Sequence, residues 1–126
     1  MVQPVILIIE DNRLVLRTVK ETLELEGWRV CCCEDGHQAL SLIESGGRYD
    51  LIITDNDLPG VSGLDIIRHA RLLDRHRNTP IIMLSASPYE AEARRAGADV
   101  FLKKPEGINV LAGTAAQLLK SDKRSH

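Results

Sequence analysis

Residues 4–9 read PVILII, a continuous apolar run that leads directly into two acidic residues, Glu10 and Asp11. A short run without polar alternation, rich in β-branched residues, is typical of a strand that is buried on both faces. Such strands belong to parallel sheets that are covered by helices on both sides. The stretch therefore predicts an α/β domain with two carboxylates at the carboxyl end of its first strand.

The rest of the chain repeats this alternation of short apolar runs and longer amphipathic segments. Further strands are predicted over 29–33, 50–54, 80–84 and 100–102, and helices over 12–26, 37–44, 62–74 and 107–120. A brief fourth helix is predicted to start with a capping signature at 87–90 and to end at Gly97. Ser62 and Asp65 form a similar capping pair for the third helix. Five strands that alternate with five helices predict a doubly wound parallel sheet.

Composition and charge exclude several classes of protein. The length of 126 residues suits one domain, and a net charge of -2 argues against a dedicated nucleic-acid-binding protein. The apolar runs are too short to span a bilayer and the first residues do not resemble a secretory leader, so we expect a soluble, cytoplasmic protein. The consecutive Cys31, Cys32 and Cys33 lack metal-site spacing and are predicted to be buried small apolar residues. His37, His69 and His76 are predicted to be solvated.

Polar side chains follow four of the predicted strands at the point where each strand ends. Glu10 and Asp11 follow the first strand, Asp55 the third, Ser85 the fourth and Lys104 the fifth. Ligands of such sheets bind beyond the carboxyl ends of the strands. Clustered carboxylates need a cation, and Mg²⁺ prefers oxygen ligands. An aspartate can also attack phosphorus, with a hydroxyl and an ammonium group to contact phosphoryl oxygens.

These motifs, in this order, resemble the receiver domain of the bacterial response-regulator family over residues 4–120. The matching residues are Glu10-Asp11, IITD at 52–55 with Leu58-Pro59-Gly60 and Gly63, LSA at 84–86, AGA at 96–98 and FLKKP at 101–105. The resemblance implies a single-domain (βα)5, flavodoxin-like fold with strand order 2-1-3-4-5. It also implies a receiver domain over residues 1–120, followed by a polar tail over 121–126.

The same resemblance implies a role in a two-component phosphorelay. Asp55 would accept a phosphoryl group from a phosphohistidine on a histidine kinase or a histidine phosphotransfer domain. Mg²⁺ would be held by Glu10, Asp11, Asp55 and the backbone carbonyl of Asp57. The chain would not be an enzyme beyond its own phosphorylation and dephosphorylation.

Further residues are implied to sense the phosphoryl group and transmit its presence. Lys104 would contact the phosphoryl group, with Lys103 as the solvent-facing alternative, and the peptide bond before Pro105 would be cis. Ser85 would move toward the phosphoryl group and Phe101 would change rotamer with it. The output would be a contact with a downstream protein target, because the chain carries no DNA-binding domain and no membrane segment.

The chain departs from the family's pattern at several positions. Phe101 lacks a tyrosine hydroxyl, and Glu106 replaces an apolar or aromatic residue. Asp57 adds a carboxylate near Asp55 and is expected to alter the lifetime of the phosphoryl group. The segment between Ser85 and Lys104 is about three residues short, which predicts a stunted fourth helix that weakens the usual output face.

Three other functions fit parts of the sequence. Asp55-Asn56-Asp57 is similar to the Asp-x-Asp motif of phosphatases of the haloacid-dehalogenase type, although that motif normally follows the first strand. A pseudo-receiver that binds its partner without phosphorylation is a second alternative. Flavodoxin-like flavin binding is a weaker one, because the chain has few aromatic residues and no evident phosphate-cradling loop.

Overall fold

Five parallel strands form one sheet in the order β2-β1-β3-β4-β5, as predicted. The computed structural model of the chain describes residues 3–121. The strands are Val5–Ile9 (β1), Arg29–Cys33 (β2), Leu51–Thr54 (β3), Ile81–Ser85 (β4) and Val100–Lys103 (β5). The helices are Arg13–Glu24 (α1), Gly36–Glu44 (α2), Gly63–Leu72 (α3), Glu90–Ala96 (α4) and Glu106–Ser121 (α5), with a 3-10 turn at Asp74–His76.

The sheet separates two apolar clusters, one on each face. Ile6 and Ile8 of β1 belong to the cluster that α1 and α5 cover, whereas Leu7 and Ile9 belong to the cluster beneath α2, α3 and α4. All four side chains are at most 1% exposed. The apolar run at 4–9 is therefore continuous because β1 is an interior strand, between β2 and β3, and has a helix layer on both sides.

Side-chain caps begin three of the helices. Asn12 accepts hydrogen bonds at the start of α1, Asp35 at the start of α2 and Ser62 at the start of α3. The cap predicted at 87–90 is wrong, because Ser87 donates its hydroxyl hydrogen bond to Asp57 instead. The residue directly before α4 is Tyr89, whose side chain makes no cap.

The ends of the first and third predicted helices also need correction. The first helix was predicted over 12–26, but α1 ends at Glu24. The third helix was expected to reach residue 74, but α3 ends at Leu72 because Leu73 adopts an extended backbone conformation. The helix α5 includes Ser121, and the rest of the tail expected at 121–126 lies outside the described residues. Within residues 3–121, no helix has the length and apolarity that a membrane crossing requires.

The predictions for the histidines and cysteines hold only in part. His76 is buried, not solvated: its two ring nitrogens lie 3.0 Å from Thr79 Oγ1 and 3.0 Å from the Gly47 carbonyl. His76 ends the 3-10 turn, which places its ring in the interior. The periodicity of an α-helix does not predict burial in such a turn. Cys33 is buried but Cys31 is exposed, because β2 lies at the edge of the sheet.

Arg71, near the end of α3, forms hydrogen bonds with the loops that precede both β4 and β5. Its guanidinium donates hydrogen bonds to the carbonyls of His76, Thr79 and Gly97, at 2.6 to 3.0 Å. It also pairs with the carboxylate of Asp99 at 3.1 Å, and its side chain is only 19% exposed. This one side chain therefore connects α3, the segment before β4 and the turn after α4.

We expect Arg71→Met to lower the free energy of unfolding by about 2–3 kcal/mol, because it leaves several carbonyls and a carboxylate without their charged donor. Arg68→Met is the matched control on the same helix. Arg68 is more than half exposed and pairs with Asp65, so its loss should cost about 0.5 kcal/mol or less. Urea unfolding followed by circular dichroism measures both values. Equal losses in the two variants would contradict the role given to Arg71.

The three cysteines should differ in reactivity toward a thiol reagent such as Ellman's reagent at pH 8. Burial raises the pKa of Cys33 to about 12 and also raises the pKa of Cys32, so neither carries much of the reactive thiolate at this pH. Cys31 is exposed. We expect one thiol per chain to react fast in the folded protein and none to do so in Cys31→Ser. A fast thiol that survives in Cys31→Ser would contradict the arrangement of β2.

Candidate functional site

Three carboxylates meet where β1 and β3 end side by side. Glu10 directly follows β1 and Asp55 directly follows β3, and the Asp55 amide donates a hydrogen bond to the Ile9 carbonyl at 3.0 Å. Carboxylate oxygens of Glu10, Asp11 and Asp55 lie within 4.8 Å of one another. Glu10 and Asp55 are buried, whereas Asp11 is exposed. The cluster therefore has two buried members and one that faces solvent.

Lys104 places its ammonium group between the two buried carboxylates. Its Nζ lies 2.5 Å from Glu10 Oε1 and 3.1 Å from Asp55 Oδ2. Lys104 follows β5, where its amide donates to the Ser85 carbonyl at 3.0 Å and its peptide bond to Pro105 is cis. The exposed neighbour Lys103 is the last residue of β5. Of the two lysines, Lys104 is thus the one that reaches the carboxylates.

Burial and charge act in opposite directions on these groups. Burial raises the pKa of Glu10, although the hydrogen bond from Lys104 partly offsets this effect. Burial by itself lowers the pKa of Lys104, but its hydrogen bonds and attraction to Glu10 and Asp55 outweigh burial and raise it. Lys104 therefore stays an ammonium ion at neutral pH.

The backbone around Asp55 holds its carboxylate in one orientation. Asp55 Oδ1 accepts a hydrogen bond from the Asn56 amide at 2.6 Å, and the Asp55 carbonyl accepts one from Thr54 Oγ1 at 2.7 Å. A Cβ atom at Gly63 would lie only 2.0 Å from the Asp55 carbonyl oxygen. Glycine is therefore required at position 63, where α3 begins against the loop.

The remaining predicted residues lie around this cluster on neighbouring elements. Ser85 ends β4 and is fully buried, and its Oγ accepts a hydrogen bond from the Ser87 amide at 3.2 Å. Phe101 lies on β5 and packs against the apolar cluster beneath α2, α3 and α4. Asp57 is exposed, and its carboxylate accepts a hydrogen bond from Ser87 Oγ at 3.1 Å. The loops after β3 and β4 are thus joined beside Asp55.

The cluster matches the ligand chemistry of a hard divalent cation. Glu10, Asp11 and Asp55 supply oxygen donors only, and a single ammonium group pairs with two of the three carboxylates. Mg²⁺ is usually bound through one or two carboxylates and several waters. The exposed position of Asp11 leaves one side of the cluster open to solvent. The donor set therefore fits Mg²⁺.

Two residues that were not predicted to belong to the site lie near it. Asn56 is only 7% exposed, and its side-chain oxygen accepts a hydrogen bond from the Leu64 amide at 3.0 Å. Ser87, which was interpreted as a helix cap, instead bonds to Asp57. A polar residue directly after a buried strand was the available signal for Asn56. Nothing local to Ser87 indicated its partner, which is 30 residues away in the chain.

Proteins of known family resemble this chain in both sequence and structure. The model of the response regulator receiver domain matches residues 6–116. The transcriptional regulatory protein CpxR of Escherichia coli K12 is 34% identical over 124 residues, which cover 96% of this chain and 50% of CpxR. The chemotaxis protein CheY of Pseudomonas aeruginosa is 32% identical over 110 residues, or 84% of this chain and 88% of CheY.

Solved receiver domains share the same fold. The receiver domain of the Francisella response regulator 1452 aligns with a TM-score of 0.87 and 30% identity, covering 96% of this chain and 100% of that one. The receiver domain of a Pseudomonas aeruginosa sensor histidine kinase, solved with a magnesium ion in its active site cleft, aligns with a TM-score of 0.86 and 30% identity. It covers 95% of this chain and 100% of that domain.

The chain spans about half the length of CpxR, although the match covers nearly all of this chain. Sequence, strand order and structural neighbours agree, and the chain belongs to the response regulator receiver domain family.

Proposed function

We propose that this chain is a phosphoacceptor receiver module, which takes a phosphoryl group from a partner phosphohistidine onto Asp55 and then changes its protein contacts. The observation that carries the proposal is the position of the Asp55 carboxylate, which lies within reach of one ammonium group and two further carboxylates. A histidine kinase or a histidine phosphotransfer domain is the proposed donor. The proposed receiver unit is residues 1–120, and the cytoplasm is the proposed compartment.

The proposed reaction is an in-line displacement at phosphorus. A carboxylate oxygen of Asp55 forms the new O–P bond while the P–N bond to the donor imidazole breaks. The electron pair of that bond returns to the imidazole nitrogen, which takes up a proton. The hydrogen bond from the Asn56 amide to Asp55 Oδ1 keeps the carboxylate from rotating during this step.

Mg²⁺ would be held by the carboxylates of Glu10, Asp11 and Asp55 and by the Asp57 carbonyl. When bound, it supplies positive charge against the developing charge of the phosphoryl oxygens. Lys104 adds a second positive charge, and its neighbours keep it protonated. A solved relative carries magnesium in its site, which supports this assignment.

The proposed signal leaves the site through β4 and β5. Ser85 and Phe101 lie on these neighbouring strands, and Lys104 connects the end of β5 to the carboxylates. A new phosphoryl group would draw Lys104 and the Ser85 hydroxyl toward itself and thereby shift the population of nearby conformations. A downstream protein would then recognise the altered surface.

The haloacid-dehalogenase alternative does not agree with the family or the topology. Asp55 follows β3, the third strand in sequence, whereas that phosphatase motif follows the first strand. Family membership also places the chain with receivers. A pseudo-receiver would gain no phosphoryl group on incubation with Mg²⁺ and a small phosphodonor.

Incubation with Mg²⁺ and phosphoramidate should add one phosphoryl group to the wild-type chain, labile to base, and none to Asp55→Asn. The reason is that the amide in this variant lacks the anionic oxygen that attacks phosphorus. Intact-mass spectrometry measures the gain. Asp57→Asn is the matched control and should still be phosphorylated. A folded wild-type chain that gains no mass would favour the pseudo-receiver, and a gain that survives in Asp55→Asn would place the nucleophile elsewhere.

Lys104→Ala should slow phosphorylation by at least about tenfold, because it removes a positive charge aimed at the developing phosphoryl charge. Lys103→Ala is the control, since Lys103 is exposed, and its rate should stay within about twofold of the wild type. Lys104→Ala should also gain more thermal stability from Mg²⁺ than Lys103→Ala, because it leaves Glu10 and Asp55 without their ammonium partner. Identical behaviour of the two variants would contradict the role of Lys104.

A further inference from the structure

Asn56 is a buried polar residue whose backbone amide bonds to the Asp55 carboxylate and whose side chain bonds to α3. The residue is 7% exposed. Its amide donates to Asp55 Oδ1, its carbonyl accepts from the Gly63 amide and its side-chain Oδ1 accepts from the Leu64 amide.

Asn56 and Ser62 together satisfy the first turn of α3. The first amides of a helix have no partner within the helix and need acceptors from outside it. Asn56 accepts from Gly63 and Leu64, each at 3.0 Å, and Ser62 Oγ accepts from Asp65 at 3.2 Å. Asn56 thus works as a cap that is supplied by the loop after β3, well before the helix starts in sequence.

The same residue sets the plane of the peptide that orients the carboxylate. The peptide between Asp55 and Asn56 presents its carbonyl to Gly63, where a Cβ atom would lie 2.0 Å away, and its amide to Asp55 Oδ1 at 2.6 Å. Rotation of this peptide would move both groups at once. The hydrogen bond that the Leu64 amide donates to the Asn56 side chain resists that rotation, because Leu64 belongs to α3, which buried Ile66 and Ile67 anchor in the core.

We propose that Asn56 is a positioning residue for phosphorylation: its side chain fixes the phosphoacceptor loop to α3 and so holds the Asp55 carboxylate in its reactive orientation. The proposal rests on the proposed function of Asp55. The rate of phosphoryl transfer then depends in part on a side chain whose hydrogen bond is to α3. A reaction becomes slower when its nucleophile is misplaced, even when the fold is intact.

The test compares Asn56→Leu with Ser62→Ala. Leucine has the same number and branching of side-chain heavy atoms as asparagine but offers no acceptor to the Leu64 amide. Ser62→Ala removes the other side-chain acceptor of the same helix turn. Both variants should lower the urea midpoint of unfolding, because each leaves one amide of α3 without its side-chain acceptor. The rate of mass gain with phosphoramidate at saturating Mg²⁺ is then measured under conditions where circular dichroism shows each protein to be folded.

We expect Asn56→Leu to be phosphorylated at least about tenfold more slowly than the wild type, and Ser62→Ala to stay within about twofold. Loss of helix stability alone would affect both variants alike, so the difference in rate at saturating Mg²⁺ reports positioning. A wild-type rate in Asn56→Leu, or an equal fall in both variants, would overturn the proposal. If Asn56→Leu does not fold, Asn56→Ala replaces it with the same expected rates and the same contradicting results.

The result for the wild-type chain distinguishes failure of the proposed function from failure of the role given to Asn56. If the wild type gains no phosphoryl group, the proposed function fails and the inference fails with it. If the wild type is phosphorylated on Asp55 and Asn56→Leu reacts at the same rate, only the role of Asn56 is wrong.

Discussion

Two buried carboxylates share one ammonium group, and the arrangement of the carboxyl end of the sheet depends on this contact. Glu10, Asp55 and Lys104 follow β1, β3 and β5, so the ion pairs join three strands across the sheet. A buried charge without a partner is costly, and this cost disfavours any displacement of one strand end relative to the others. Under the proposed function, an added phosphoryl group or cation would change the charge balance at this point.

The opposite end of the sheet is held by a different cation. Arg71 binds the segments that precede β4 and β5, and it contacts the Gly97 carbonyl directly after α4. The other end of α4 follows the loop in which Ser87 bonds to Asp57. The short helix α4 is therefore fixed at its C-terminal end and linked at its N-terminal end to the loop that follows Asp55.

Local sequence patterns predicted the strands, the parallel sheet and the residues at the strand ends, because burial on both faces leaves a long apolar run. The prediction was less accurate where a distant partner decides the outcome. Ser87 has the pattern of a helix cap but bonds to Asp57, and His76 has the pattern of a surface residue but is buried within a 3-10 turn. Exposure of Cys31 depends on β2 being an edge strand, which no local pattern reports.

Apolar periodicity locates the strand ends and therefore predicts which chemical groups surround the site. The pairing of these groups follows from the packing of strands and helices. Packing brings Lys104 rather than Lys103 to the carboxylates, and it joins Asn56 beside Asp55 to α3. Periodicity reports the burial of each residue separately. A hydrogen bond between residues far apart in the chain depends on distances that only the packed strands and helices establish.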